Sequence, residues 1–215
     1  MRQMQGNNRP LPIALENPMS LERKPAEAAS ILQFDDKKAW AAWLKKNHGK
    51  SPGVWLRFAK KHAGSSSVTY PEALELALCY GWIDGQKKSD GAQFWLQRFT
   101  PRSARSIWSK INRDKALALI ASGQMQAAGL LEVERAKSDG RWQAAYDSAR
   151  TSAIPEDLQQ ALAANAAAQA FFATLDAQNR YAVLFRIQTA KKAETRAKRI
   201  AAFTQMLSEH KKLHP

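Results

Sequence analysis

Three arginines, one threonine and two serines stand between Arg98 and Ser106, in the stretch Arg98-Phe99-Thr100-Pro101-Arg102-Ser103-Ala104-Arg105-Ser106. Guanidinium forks and hydroxyl donors side by side are what a phosphate or a carboxylate needs. A helix starting at Ser103 or Ser106 would add free backbone N–H groups. The stretch sits inside a longer basic run. From Gly85 to Lys115 there are eight cations against two acids, with Phe94, Trp95, Phe99 and Trp108 interleaved. The chemistry this suggests is anion binding, and the candidate set is Asp84, Arg98, Thr100, Arg102, Ser103, Arg105, Ser106, Trp108, Lys110 and Arg113. The same composition also fits a solvated basic face whose aromatics belong to the core.

Asp84 is a lone acid between Ile83 and Gly85, close to these cations. It has no second titratable partner nearby in sequence, which favours an ion pair or a turn over acid/base catalysis, so any catalytic role for it is speculative. A second basic patch, Lys191, Lys192, Arg196 and Arg199, lies at a junction between two helices. Arg196 and Arg199 are three apart and would project together, although a solvated helix face is the commoner outcome.

Other chemistries find little support. His48, His62, His210 and His214 do not pair with each other or with cysteine at ligand spacing, so no metal is expected. Cys79 sits at the end of a helix, where the dipole disfavours a thiolate, and reads as a small buried hydrophobe. Neither a nucleophile elbow nor a phosphate loop is present, and no cofactor is expected.

These residues must be positioned by a core. Asp35 or Asp36 can cap a helix reaching Asn47, with Trp40, Trp43 and Leu44 on its inner face. Gly53 to Lys60 reads as a strand. Thr69 and Glu72 form a capping-box pattern ahead of an amphipathic helix that closes at Cys79-Tyr80-Gly81. Trp82 to Gln86 and Phe94 to Phe99 read as two strands, joined as a hairpin around Ser89-Asp90-Gly91. If they pair, Asp84 and Arg102 come within contact range. A strand at 31–34 is a further candidate. Helices are expected from Ser103 or Ser106 to Gly123 and from Ala127 to Ser138. After a linker at Thr151 to Pro155 the chain turns alanine-rich and helical. The expected fold is α+β: a small mixed β-sheet packed with helices, then an all-α C-terminal region. The expected organisation is a disordered or loosely attached tail over 1–29, a core domain over 30–150 and a helical region over 151–215.

The chain has 215 residues and a formal net charge of +14, enough for one domain plus an appendage. A balance this basic favours an anionic ligand, nucleic acid or an acidic protein surface. One cysteine excludes an intramolecular disulfide and fits a reducing compartment. No stretch has the roughly 20 apolar residues of a spanning helix, and the N-terminus lacks an apolar signal region. The expected location is cytoplasmic, and the oligomeric state is not encoded legibly.

Several segments together resemble the bacterial YdeI/OmpD-associated family, often labelled bacteriocin-protection proteins. They are Trp40-Ala41-Ala42-Trp43-Leu44, Gly53-Val54-Trp55-Leu56, Tyr70 to Leu74 running into Ala77 to Gly85, Arg98 to Arg102, Trp108 to Asn112, Gly140-Arg141-Trp142 and Glu194 to Ile200. The resemblance spans roughly residues 34–210. Ala193 departs from it, since proline is expected before the Glu-Thr-Arg element. The resemblance implies a compact bacterial protein with an α+β core and a helical C-terminus, in a setting of bacteriocin or envelope-stress protection. It carries over no catalytic residue. The expected function is therefore a non-enzymatic protein with a basic anion- or partner-binding surface. One alternative is an enzyme acting on a phosphorylated or carboxylated small molecule through Arg98, Arg102, Arg105 and Asp84. The other is a protein–protein adaptor using the C-terminal helices.

Overall fold

The computed structural model describes residues 30–215, so the tail expected over 1–29 lies outside the described residues. The sheet has four strands in the order β1-β2-β4-β3. They are β1 (Ile31–Leu32), β2 (Val54–Ala59), β3 (Trp82–Asp90) and β4 (Phe94–Pro101). β1 runs parallel to β2, while β2 with β4 and β3 with β4 are antiparallel, so the sheet is mixed. The hairpin expected around Asp90 forms and both its strands run longer than expected. It places Trp82 opposite Pro101, Ile83 opposite Thr100 and Asp84 opposite Phe99.

One face of the sheet is covered by α1 (Lys37–Asn47) and α2 (Tyr70–Cys79). Asp36 caps α1, its carboxylate accepting from the Ala39 N–H at 2.8 Å, and Thr69 with Glu72 completes the capping box of α2. These caps satisfy backbone donors that the first helical turn cannot. Alternation along β2 sends Val54, Leu56 and Phe58 into the same core as Trp40, Leu44, Leu78, Trp82 and Phe99. Each such side chain, fully buried, contributes about 1.5–3 kcal/mol. The indole donors are also satisfied here: Trp40 Nε1 donates to the Ala73 carbonyl and Trp82 Nε1 to the His48 carbonyl.

One expectation needs correction. The helix expected to begin at Ser103 or Ser106 begins later, as α3 (Lys110–Ala121), capped by Ser109. Ser103 and Ser106 are consumed in their own turn, where the Ser106 hydroxyl accepts from the Ser103 N–H. Trp108 and Ser109 are held extended by a bridge to Tyr146, whose N–H donates to the Trp108 carbonyl. Buried Trp108 and this bridge outweigh the local helix propensity. α4 (Ala127–Ser138) follows as expected.

After residue 155 the chain is helical throughout: α5 (Glu156–Ala163), α6 (Ala166–Ala173), α7 (Ala177–Gln188) and α8 (Ala193–Ser208). They enclose a second core containing Leu158, Leu162, Phe172, Val183, Ile187 and Leu207. Asp147 ties the two cores together. Its carboxylate pairs with Lys110 at 2.7 Å and accepts from Gln188 Nε2 at 2.7 Å, and its carbonyl accepts from the Tyr181 hydroxyl. Among the described residues no helix is long and apolar enough to cross a membrane.

Candidate functional site, a buried arginine corner

The corner is built where α2 ends and β4 leaves the sheet. Gly81 turns the chain with φ +73°, and a Cβ there would stand 2.8 Å from the Ala128 carbonyl oxygen on α4. Only glycine accommodates both the left-handed backbone and that approach. The Gly81 carbonyl accepts from the Arg102 N–H at 2.9 Å, which fixes where β4 exits. From there the Arg102 side chain turns inward.

Arg102 is 95% buried, with a relative exposure of 5%. Its guanidinium lies 3.5 Å from the centroid of the Trp108 ring, a close cation–π stack. Trp108 is backed in turn by Trp142 in a T-shaped contact at 4.9 Å. One guanidinium nitrogen, Nη1, donates to the Ile107 carbonyl at 3.3 Å. The other two, Nε and Nη2, are buried and meet no hydrogen-bond partner among the described residues. These two nitrogens form one edge of the guanidinium, the edge that binds a carboxylate or phosphate through two parallel hydrogen bonds. Burial pushes the Arg102 pKa down to about 10, opposed by the charges of Glu132, Asp84 and Tyr146. The group remains a cation at neutral pH.

Around it stand three further groups of mixed sign. Glu132, on the inner face of α4, is buried, and its Oε1 pairs with Arg135 at 2.9 Å while Oε2 has no hydrogen-bond partner among the described residues. Asp84 accepts at Oδ2 from the Tyr70 hydroxyl at 2.7 Å. Burial, and then that carboxylate, push the Tyr70 phenol well above its ordinary range. Arg141 is buried at 6% exposure, with Nε donating to Asp139 and Nη1 to the Ser106 carbonyl. Its Nη2 lies 2.7 Å from Asp139 Oδ2 but off the hydrogen-bond direction, so that contact is ionic only.

The sequence-derived candidates separate in space. Asp84, Arg102 and Trp108 belong to the corner. Asp84 and Arg102 share it without forming an ion pair, because Tyr70 holds the aspartate and Glu132 is the acid acting most strongly on the arginine. Arg98 lies on the opposite face of the sheet, 5.7 Å from the Trp55 ring centroid. Thr100 packs against Gly53 and serves the sheet. Ser103, Arg105 and Ser106 form an exposed turn closed on its own hydroxyls and not a helix N-terminus. Lys110 is committed to Asp147 and Arg113 to its neighbour Asp114.

The second basic patch divides in the same way. Arg196 grips Asp157 through Nε and Nη2 and also donates to the Ile187 carbonyl, while Arg199 donates to the Arg186 carbonyl. Both arginines therefore join α8 to α5 and α7, and Lys191 and Lys192 stay exposed at the preceding turn.

Sequence reasoning missed Glu132 and gave no role to Tyr70 or Arg141. For Glu132 a signal existed. Gly129, Val133 and Ala136 mark the buried stripe of α4, and Glu132 falls in that stripe. An acid in the core phase of an amphipathic helix points to a buried counter-charge.

Residues 32–132 match a domain of unknown function (DUF8412), which contains Tyr70, Asp84, Arg102, Trp108 and Glu132. Residues 151–210 match the family described as Bacteriocin-protection, YdeI or OmpD-Associated. No curated protein and no solved structure matches the chain. The resemblance read from the sequence over 34–210 is thus met by that family only in part, over the C-terminal helices that include the Glu194 to Ile200 element.

Proposed function

We propose that the protein is a non-enzymatic binder of a small anion, a carboxylate or phosphate group, acting in bacteriocin or antimicrobial protection. The observation that carries this reading is the Nε–Nη2 edge of Arg102, buried and without a partner among the described residues. A buried polar group left unpaired costs about 1–3 kcal/mol, and more when it is charged, so it calls for an occupant. An anion fits the planar fork and the positive charge together. Trp108 holds the fork flat, and the carbonyl of Ile107 fixes its rotation. Asp84 is turned toward Tyr70 and supplies no free base to the fork, which favours binding over catalysis. Among the described residues the large exposed hydrophobics are Ile31, Ile107, Ile111, Leu117, Leu130 and Leu131, none of them on the C-terminal helices, so an adaptor role for those helices gains no support.

Calorimetric titration with inorganic phosphate and with acetate tests the reading. The parent protein is expected to bind one of them at a single site. An anion at ten times its dissociation constant would stabilise the fold by about 1.4 kcal/mol. Arg102→Lys keeps the charge but lacks the two-donor edge, and is expected to lose that binding. Equal binding by Arg102→Lys, or no binding of either anion, overturns the proposal.

A further inference from the structure

A second basic feature lies at the far end of the sheet, where β2 and the β3–β4 hairpin finish. A hollow of about 610 Å³ is lined by Lys60, Lys61, Lys87, Lys88, Ser89 and Trp95, with Ala59 at its base. A neighbouring hollow of about 310 Å³ shares Ala59, Lys60, Lys61 and Trp95 and continues past Ser65, Ser66 and Ser67. The two form one groove with Trp95 at their junction. Among the described residues no acid lines either hollow. The nearest acid on the hairpin, Asp90, is neutralised by Arg57 at 2.6 Å. The four lysines are exposed; Lys60 donates to the Gly91 carbonyl, and Lys88 turns its Nζ to the other face of the sheet, 4.3 Å from the Trp55 ring centroid, leaving Lys60, Lys61 and Lys87 on the Trp95 side.

Trp95 gives the groove a flat aromatic floor. Its ring stacks on Phe58 with centroids 4.7 Å apart and planes at 22°, and is half-buried. Lys87 Nζ lies 4.4 Å from the same ring centroid. Phe58 occupies one face of the indole, so the ammonium caps the other. A lysine on a four-carbon stem is readily displaced from such a position, and its charge then becomes available to a phosphate beside the ring. Lysines along a groove with an aromatic platform at its centre are the elements that hold single-stranded nucleic acid, where bases stack and phosphates are neutralised. An acidic peptide would use the lysines but leave the platform idle.

We propose that this groove binds single-stranded nucleic acid without sequence preference, one base stacking on Trp95 and consecutive phosphates meeting Lys60, Lys61 and Lys87. The site is separate from the Arg102 corner and does not depend on it.

Fluorescence anisotropy with a labelled twelve-residue oligothymidylate tests the proposal on the full chain. With about three phosphates neutralised, the salt slope for a single strand is about −2.1, so raising salt from 50 to 200 mM should weaken binding about 20-fold. An abasic strand of equal length keeps the phosphates and removes the bases, and should bind about tenfold more weakly. Lys60→Ala/Lys87→Ala, at exposed positions, should lose tenfold or more, while Arg102→Lys binds as the parent does. No binding at 50 mM salt overturns the proposal. So does equal affinity for the abasic strand or for polyglutamate, or an unaffected lysine variant. Loss of oligonucleotide binding in Arg102→Lys would also overturn it, since the strand would then be bound at the corner.

Discussion

Arg102 lies flat against Trp108, with its guanidinium 3.5 Å from the ring centroid, and the edge pointing away from the Ile107 carbonyl has no hydrogen-bond partner among the described residues. This one contact organises the corner. The indole fixes the plane of the cation, α4 brings Glu132 close enough to act on it, and the Gly81 turn fixes the backbone from which it projects.

The balance between Arg102 and Glu132 can be tested by removing the acid. Glu132→Gln takes away the carboxylate that most supports the buried cation. The variant should be less stable than the parent by about 1–3 kcal/mol in urea unfolding without added anion. It should also bind phosphate more tightly, because a competing negative charge has gone. Weaker phosphate binding in a folded Glu132→Gln protein would contradict this placement of Glu132.

Much of this arrangement was legible in the sequence. The cap at Asp36, the capping box at Thr69 and Glu72, the hairpin around Asp90 and the all-helical segment after 155 are set by local rules that read one residue at a time. The start of α3 was not legible, because Ser103, Ser106 and Ser109 are all competent caps and only the bridge from Tyr146 to Ser109, nearly 40 residues on, selects the last. The same limit applies to the site. Arg98, Arg102 and Arg105 look equivalent in the sequence, but strand parity sends Arg98 to the outer face, the turn exposes Arg105, and only Arg102 is folded inward. Glu132 comes from α4, an element whose contact with the α2 end depends on tertiary packing.

That packing sets a second prediction. Gly129 on α4 sits against the end of α2, and a Cβ there would collide with the Cys79 carbonyl oxygen and Met125 Sδ and stand 2.7 Å from the Leu78 carbonyl oxygen. Backbone cannot yield as a side chain can. Gly129→Ala should destabilise the protein by about 1–3 kcal/mol, against the usual helix-propensity gain of alanine over glycine. Thermal unfolding of this variant beside Gly123→Ala, at an exposed helix end with positive φ, separates overpacking from backbone strain.

Cys79 should behave as a core residue. It is buried, and desolvation pushes its thiol pKa up to about 11. At pH 8 the folded protein should resist a thiol reagent and react fully only in denaturant. Rapid labelling of the native protein would contradict the packing of α2 against the sheet.

The latch at Asp147 predicts a pH dependence. The hydrogen bond from Lys110, and then that from Gln188, hold the Asp147 carboxyl below its ordinary value of 3.8. A folded pKa below the unfolded one means that the carboxylate's contribution is present above the unfolded value. It is lost as pH falls through the lower folded value. Asp147→Asn should therefore be less stable than the parent by about 1 kcal/mol from pH 5 to 8. The difference should close as pH drops below about 4. A difference that persists unchanged at pH 2 would show that the ionised carboxylate is not its source.

The occupancy of the Arg102 edge can be followed at its own proton. In an ¹⁵N-labelled sample the Arg102 Nε–H resonance, assigned by its absence in Arg102→Lys, reports directly on what that nitrogen donates to. Titration with inorganic phosphate or acetate should move this signal downfield in a saturable way, while the Nε–H signals of Arg196 and Arg141, already bonded to Asp157 and Asp139, stay in place. An Arg102 signal that does not move with either anion, or that moves no more than those of Arg141 and Arg196, would contradict an anion site at this corner.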